Sequence, residues 1–182
     1  TTDNDIGMAS TMFKGKILSV KCSNDGPETE EPGIHDGYDG IIYAAKAGYY
    51  AGMHTIINCS WGAAGGGTSG QTVINFANNY GAIVVAAAGN GVEDAYQEDY
   101  AVHYPASYEN VVSVCAISCN GNWWNWATYH PTVDLAAPGE HIYSTIIGGD
   151  YEFLDGSSMA SPNAASVMGL VWSYYPEWSN ED

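Results

Sequence analysis

Positive charge is what this sequence has least of: 4 Lys+Arg stand against 21 Asp+Glu, a formal net charge of -17 over 182 residues. A surface of that sign repels phosphate backbones and anionic headgroups, which argues against nucleic acid and membrane surfaces as partners. It suits cations, calcium above all, and it suits salty water. Long apolar runs are missing as well, since no stretch approaches the roughly 18 residues that a membrane helix needs. The opening TTDNDIGMAS has neither a basic start nor an apolar run, so no export signal is expected on this chain. Repeats and low-complexity tracts are absent. Cysteine is scarce: Cys22, Cys59, Cys115 and Cys119 allow three full pairings, among which the sequence does not choose. Cys115 and Cys119 would lie about 13 Å apart in an extended strand, beyond disulfide reach unless the chain turns between them. All four are read as mostly buried thiols.

What is present is a one-domain length of chain, 46% hydrophobic, able to bury roughly 70% of its unfolded surface. Short β-rich runs alternate with longer helical ones. KILSVKC at 16–22, TIINCSWG at 55–62, AIVVAAAGN at 82–90 and VVSVCAIS at 111–118 read as strands. Helices are expected around 37–52, around 70–80, and from near Ser158 onward. This pattern predicts an α/β fold, a mostly parallel sheet flanked by helices, with working groups at the carboxyl ends of the strands. Two strands end in glycine-rich loops, at 62–67 and at Gly89-Asn90-Gly91. Neither has the flanks of a phosphate loop or a dinucleotide fingerprint, and plain turn-making is the alternative reading.

Residues 155–163 read DGSSMASPN, three serines in five positions. A serine hydroxyl is a weak nucleophile that needs a base for its proton and donors for the oxyanion that forms. Ser158 is best placed, because Pro162 fits a helix's first turn and small and apolar residues follow it. A helix N-terminus offers free N–H groups and a positive dipole end to developing negative charge. Ser157 or Ser161 would equally serve as a mere N-cap, and on local grounds the cap reading of these serines stands beside the nucleophile.

Read together, the segments resemble the subtilisin-like serine proteases. GSSMASP matches that family's signature around the nucleophilic serine over all seven residues, and AAAGN matches the segment bearing an oxyanion-binding asparagine. INCSWG matches the strand and loop that pair with extended substrate, and YPAS, VDLAAPG and IYST follow in the family's order. The resemblance implies a three-layer fold, here incomplete on its N-terminal side, and a serine endopeptidase of polypeptides, extracellular or at the cell surface. Ser158 would attack the peptide carbonyl while its own N–H and the Asn90 amide hold the oxyanion. Ser60, Trp61 and Gly62 would grip substrate backbone regardless of side chain. Ala87, Ala88 and Gly89 would line the first side-chain pocket with His103 near its base, small residues leaving room for a large apolar group. Tyr104-Pro105 matches a place where the family carries a cis proline.

The family's triad runs Asp, His, Ser, and neither earlier member is found. Its histidine sits in an HGTxVAG-like helix, a context that none of His35, His54, His103, His130 and His141 has. His35, beside Asp36, is the one substitute by position, and a solvated loop histidine is the better reading. TTDNDIGMAS resembles the stretch just past that histidine, where a loop binds calcium. By that match the backbone oxygens of Thr2, Ile6 and Met8 and the Asn4 side chain would be ligands, with Asp3 and Asp5 adding charge. Residues 1–182 are thus expected to form part of a catalytic domain, beginning just after the histidine and ending after the nucleophile helix. Without the upstream Asp and His, which the missing N-terminal part of the same protease would bring, the polypeptide should not hydrolyse peptides at an enzymatic rate.

Two other readings remain. A catalytically inactive peptide-binding or structural remnant would hold peptides with residues 60–62 but has no need of Ser158 and Asn90. An α/β-hydrolase esterase wants G-x-S-x-G, yet Ala160 stands at the second glycine and no histidine follows the serine. GNWWNWATYH at 121–130 offers three tryptophans that would stack on sugars, though a packed hairpin behind the pocket is preferred. The acidic run at 27–37 would favour basic substrates or calcium, or be simply solvated.

Overall fold

A computed structural model of the chain describes residues 7–23, 33–91, 102–122 and 126–182. Burial sorts by period along the sequence. In α1 (Gly37–Tyr50) the buried residues Gly37, Ile41, Ala44 and Ala45 recur every three to four positions, and in α2 (Thr68–Asn79) Gly70, Ile74 and Ala77 do the same. One stripe of each helix therefore faces a core. The strands alternate instead, as a two-residue period requires. Ala82, Val84 and Ala86 of β2 (Ala82–Ala87) join the core beneath α1 and α2, while Val85 joins Ala160 and Ala164 of α3 (Ser157–Tyr174) on the opposite face.

That division makes three layers, helices α1 and α2, a sheet, and helix α3. The sheet is wholly parallel in the order β1 (Thr55–Cys59), β2, β3 (Val111–Ile117), β4 (Leu135–Pro138). Its register sets Ile57 against Val84, Val85 against Val112 and Cys115 against Ala136. Burial on both faces explains why β2 and β3 read as continuous apolar runs, and each fully buried Val or Ile contributes about 1.5–3 kcal/mol. A separate antiparallel hairpin, β5 (Ile142–Thr145) and β6 (Tyr151–Leu154), precedes α3. Among the described residues no helix is long and apolar enough to cross a membrane.

Two expected elements differ. Residues 16–22 belong to no strand. They run opposite β1, the terminal strand of the sheet, across an apolar cleft of about 650 Å³ whose walls include Leu18, Val20, Ile41, Ala44 and Ile56. A β-strand exists through its ladder, and this segment has a strand's composition without a neighbour to pair with among the described residues. The expected hairpin at 121–130 is likewise no strand in its described parts, where Ser118 N–H closes a turn onto the Asn122 carbonyl. Residues 123–125 of it, and 27–32 of the acidic run, lie outside the described residues.

Candidate active site

Parallel strands all end at one edge of the sheet, and loops leaving that edge converge on the N-terminus of α3. Beyond β1 come Ser60, Trp61 and Gly62; beyond β2 come Ala88, Gly89 and Asn90. Gly156 caps α3 with φ 147, a conformation closed to other residues, and it sets Ser157 and Ser158 as the first two helical residues. Neither Ser157 nor Ser161 is the cap. Ser157 is buried and donates from its N–H (2.9 Å) and its Oγ (3.0 Å) to Asn90 Oδ1. Its Oγ in turn accepts the Gly89 N–H at 3.2 Å. Ser161 Oγ donates to Asn58 Oδ1 at 2.7 Å.

With its oxygen bound twice by Ser157, the Asn90 amide is held with its NH₂ end as the donor end, beside the N-terminus of α3. The N–H of Ser158 is one of the groups that an α-helix leaves without an internal acceptor. Asn90 and Ser158 line one cavity, at the positive end of the α3 dipole. That hydroxyl is part-buried and donates to the Ser60 carbonyl at 3.4 Å.

Pro162 sits at the sixth helical residue, past the first turn where it was expected. There its missing N–H leaves the carbonyl of Ser158, four residues earlier, without a helical partner. Ser60 Oγ supplies one, donating to Ser158 O at 2.8 Å while accepting from Asn58 Nδ2 at 3.0 Å. A chain of hydrogen bonds, Ser161 to Asn58 to Ser60 to Ser158, therefore ties the nucleophile candidate to the end of β1. Asn58, Ser157 and Ser161 lie inside the matched segments INCSWG and GSSMASP, which single out neighbouring residues and carry no sign of these bonds; Ser157 and Ser161 are buried and Asn58 is exposed.

A cavity of about 570 Å³ opens beside this constellation, lined among others by Ser60, Trp61, Ala87, Gly89, His103 and Ser158. Ala88, expected in the lining, is buried on the other side, its N–H bonded to the Val114 carbonyl. The two-residue alternation of an extended chain takes its methyl away from Ala87 and Gly89. His103 does lie in the pocket, and the Tyr104–Pro105 bond after it is cis. Paired hydrogen bonds of 2.9 Å between Ala63 and Tyr104 join this segment to the loop after β1.

The other expected groups do not assemble here. Among the described residues no histidine hydrogen-bonds Ser158 Oγ. His35 is exposed next to Asp36; His54 Nε2 meets the Pro176 carbonyl at 2.8 Å with its ring on Trp172; His141 lies beside Asp155. Thr2, Asn4 and Ile6 lie outside the described residues, leaving Met8, half-buried, of the four calcium ligands expected. Among the described residues no group of three His, Cys, Asp or Glu is arranged to hold a metal. No cysteine is bridged: Cys59 and Cys115 are buried, Cys22 is half-buried, and Cys119, past the end of β3, is exposed. Burial, with the nearby Cys22 thiol adding to it, pushes the Cys59 thiol up to about 12.

The family model described as the subtilase family, Peptidase_S8, matches residues 1–182. Thermitase of Thermoactinomyces vulgaris is 37% identical over 179 residues, 98% of this chain and 59% of that protein. A thermostable alkaline protease of Halalkalibacterium halodurans is 41% identical over 178 residues, 98% of this chain and 45% of that protein. The chain thus spans about half the length of these relatives. Among solved structures, one titled S41 Psychrophilic Protease is similar with a TM-score of 0.70 and 27% identity, over 81% of this chain and 52% of that one. Sphericase follows with a TM-score of 0.69 and 26% identity, over 80% and 51%.

Proposed function

The chain belongs to the subtilase family, and from that premise we propose that residues 1–182 are part of the catalytic domain of a serine endopeptidase acting on polypeptides. Ser158 Oγ attacks the carbonyl carbon of the scissile peptide. Its proton passes to an imidazole supplied, with its orienting carboxylate, from outside these 182 residues, and then to the leaving amine as the acyl-enzyme forms. The developing oxyanion accepts from the Ser158 N–H and the Asn90 amide. Residues 60–62 bind substrate backbone as an added strand, which makes the specificity broad. The observation that carries this reading is the double hydrogen bond from Ser157 to Asn90 Oδ1, which orients the amide as a donor next to Ser158.

An extracellular or cell-surface site of action and a structural calcium belong to the same proposal. For calcium, the proposed ligands, the carbonyls of Thr2, Ile6 and Met8 and the Asn4 side chain, would all be oxygens, the donor that ion prefers. Chelation should lower the thermal midpoint and added calcium restore it; an unchanged midpoint removes the metal from the account.

A peptide-binding remnant without hydrolysis is the second reading, favoured by the lack of a histidine on Ser158 among the described residues. Intact mass in denaturant against 19.4 kDa, followed by fluorophosphonate labelling, separates the two. A larger mass or a co-purifying partner, with the label on Ser158, is expected of the protease. A mass of 19.4 kDa with no partner and no label leaves only the remnant.

A further inference from the structure

Asn90 sits between two glycines in left-handed conformations that favour that residue, φ 107 at Gly89 and φ 57 at Gly91. The turn they make brings the Asn90 side chain to Ser157 of α3. It also leaves the amide donor on backbone of wide conformational freedom. Groups that serve a reaction must be held within about 0.5 Å of their productive place, so the loop needs ties from outside. Ser157 supplies some of them, bonding Asn90 Oδ1 twice and accepting the Gly89 N–H. The two peptide groups that flank Asn90 are tied elsewhere.

Both go to Thr128. Its Oγ1 accepts the Gly91 N–H at 2.9 Å, and its own N–H donates to the Gly89 carbonyl at 3.3 Å. The hydroxyl lies against the loop so closely that a Cβ at Gly89 would stand 2.9 Å from Oγ1. Thr128 itself is buried at 1% exposure. The residue before it, Ala127, packs with Val85, Val114 and Ala160 in the core between the sheet and α3. Thr128 therefore grips the loop from the core, belonging neither to the loop nor to α3. It comes from the tryptophan-rich stretch at 121–130, which the site otherwise leaves without a role.

We infer that Thr128 is a positioning residue for the oxyanion donor: it fixes the backbone on both sides of Asn90 while Ser157 fixes the amide. This inference rests on the protease reading above. A donor already in place needs no rearrangement as charge develops on the reacting oxygen, and a misplacement of about 1 Å can cost on the order of 10²-fold in rate. Thr128 touches neither substrate nor Ser158 in this account; it acts through Asn90.

The test compares Thr128→Val and Thr128→Ser with the wild type, in the protein with its base in place. Valine keeps the bulk and removes the acceptor; serine keeps the acceptor and drops a methyl. Thr128→Ala removes the same oxygen and replaces valine in every comparison if that variant is unstable. On a chromogenic peptide amide, Thr128→Val should lower kcat at least tenfold with KM little changed. A peptide boronic acid, whose adduct on Ser158 sets an oxygen where the oxyanion forms, should lose affinity in the same proportion. Thr128→Ser should keep the wild-type kcat. In an Asn90→Ala background Thr128→Val should cost almost nothing further, because its effect passes through that amide. Equal losses in both backgrounds, a raised KM in place of a lowered kcat, or a serine variant as impaired as the valine one would make Thr128 a packing residue and overturn the inference. A wild type with neither turnover nor a fluorophosphonate label on Ser158 overturns the protease reading instead. Crystal structures then still decide the clamp: Asn90 displaced by about 1 Å in Thr128→Val sustains it, and Asn90 unmoved ends it.

Discussion

The polar residues around Ser158 differ sharply in how far they were legible. Ser158 and Asn90 stand in motifs whose chemistry is local, a serine before a small-residue helix and an asparagine after an apolar strand. Ser157 and Ser161 were readable only as caps, because their partners Asn90 and Asn58 lie 67 and 103 residues away. Contacts at that separation leave no periodic trace in a single sequence. The Ser157–Asn90 pair makes a quantitative prediction: on the proposed protease reading, Asn90→Ala should lower kcat by roughly 10²–10³ with KM little changed, the magnitude known for the same loss in a subtilisin. A tenfold or smaller loss would mean that the oxyanion is held by other donors. The thiols make another. Burial raises the Cys59 thiol to about 12 from 9.0 and raises Cys115 as well. Both are raised by burial, and the stability that the neutral thiols contribute is complete below pH 9; for Cys59 it is lost as pH climbs toward 12. Chemical denaturation should show a level stability to about pH 9 and a fall of up to about 1.4 kcal/mol per pH unit per thiol above it. At pH 8, a maleimide should modify the exposed Cys119 first and reach Cys59 and Cys115 only with unfolding. Equal rates at all four would contradict the burial.

Elements were legible where their own pairing partners lie within the chain. α1, α2 and strands β1 to β3 fall within a few residues of their expected ranges, since an apolar stripe or an apolar run decides each. KILSVKC has the same signals and forms no ladder, because a strand needs a neighbour on its edge and composition cannot provide one. Pro162 shows the converse, a residue read correctly in type and misplaced by a turn, with consequences for the site. Its absent N–H is what frees the Ser158 carbonyl for Ser60. Pro162→Ala should return a helical hydrogen bond to that carbonyl, adding about 1 kcal/mol, or about 2–4 °C in the thermal midpoint for a chain of this size. The same change puts a competitor against Ser60 Oγ and should lower kcat by an order of magnitude. A more stable variant with full activity would show that the Ser60 bond does not set the position of Ser158.

At the scale of the molecule, two tendencies oppose each other. The net charge of -17 drives copies apart, while several apolar surfaces draw them together. α3 is apolar on its outer face as well as its inner one: Val167, Leu170, Val171 and Tyr174 recur at helical spacing with exposures of 51%, 44%, 42% and 77%. A helix apolar all round is a buried helix. Ile17 at 87% exposed adds to this, as does the edge of β1, which has no further strand beside it among the described residues and borders an apolar cleft. Patches of that kind mark surfaces meant to be covered. Salt decides which tendency prevails, because the screening length shortens from about 30 Å at 0.01 M to about 3 Å at 1 M, while burial of apolar area is unaffected or strengthened. Sedimentation of the 182-residue polypeptide alone should therefore give monomer in 0.01 M salt and oligomers in 1 M, whereas a longer protein of the proposed kind, with further segments laid over β1 and α3, should stay monomeric in both. Monomer throughout for the isolated polypeptide would mean that α3 and the β1 edge are less adhesive than their exposure implies, and that charge is not what keeps the chain dispersed.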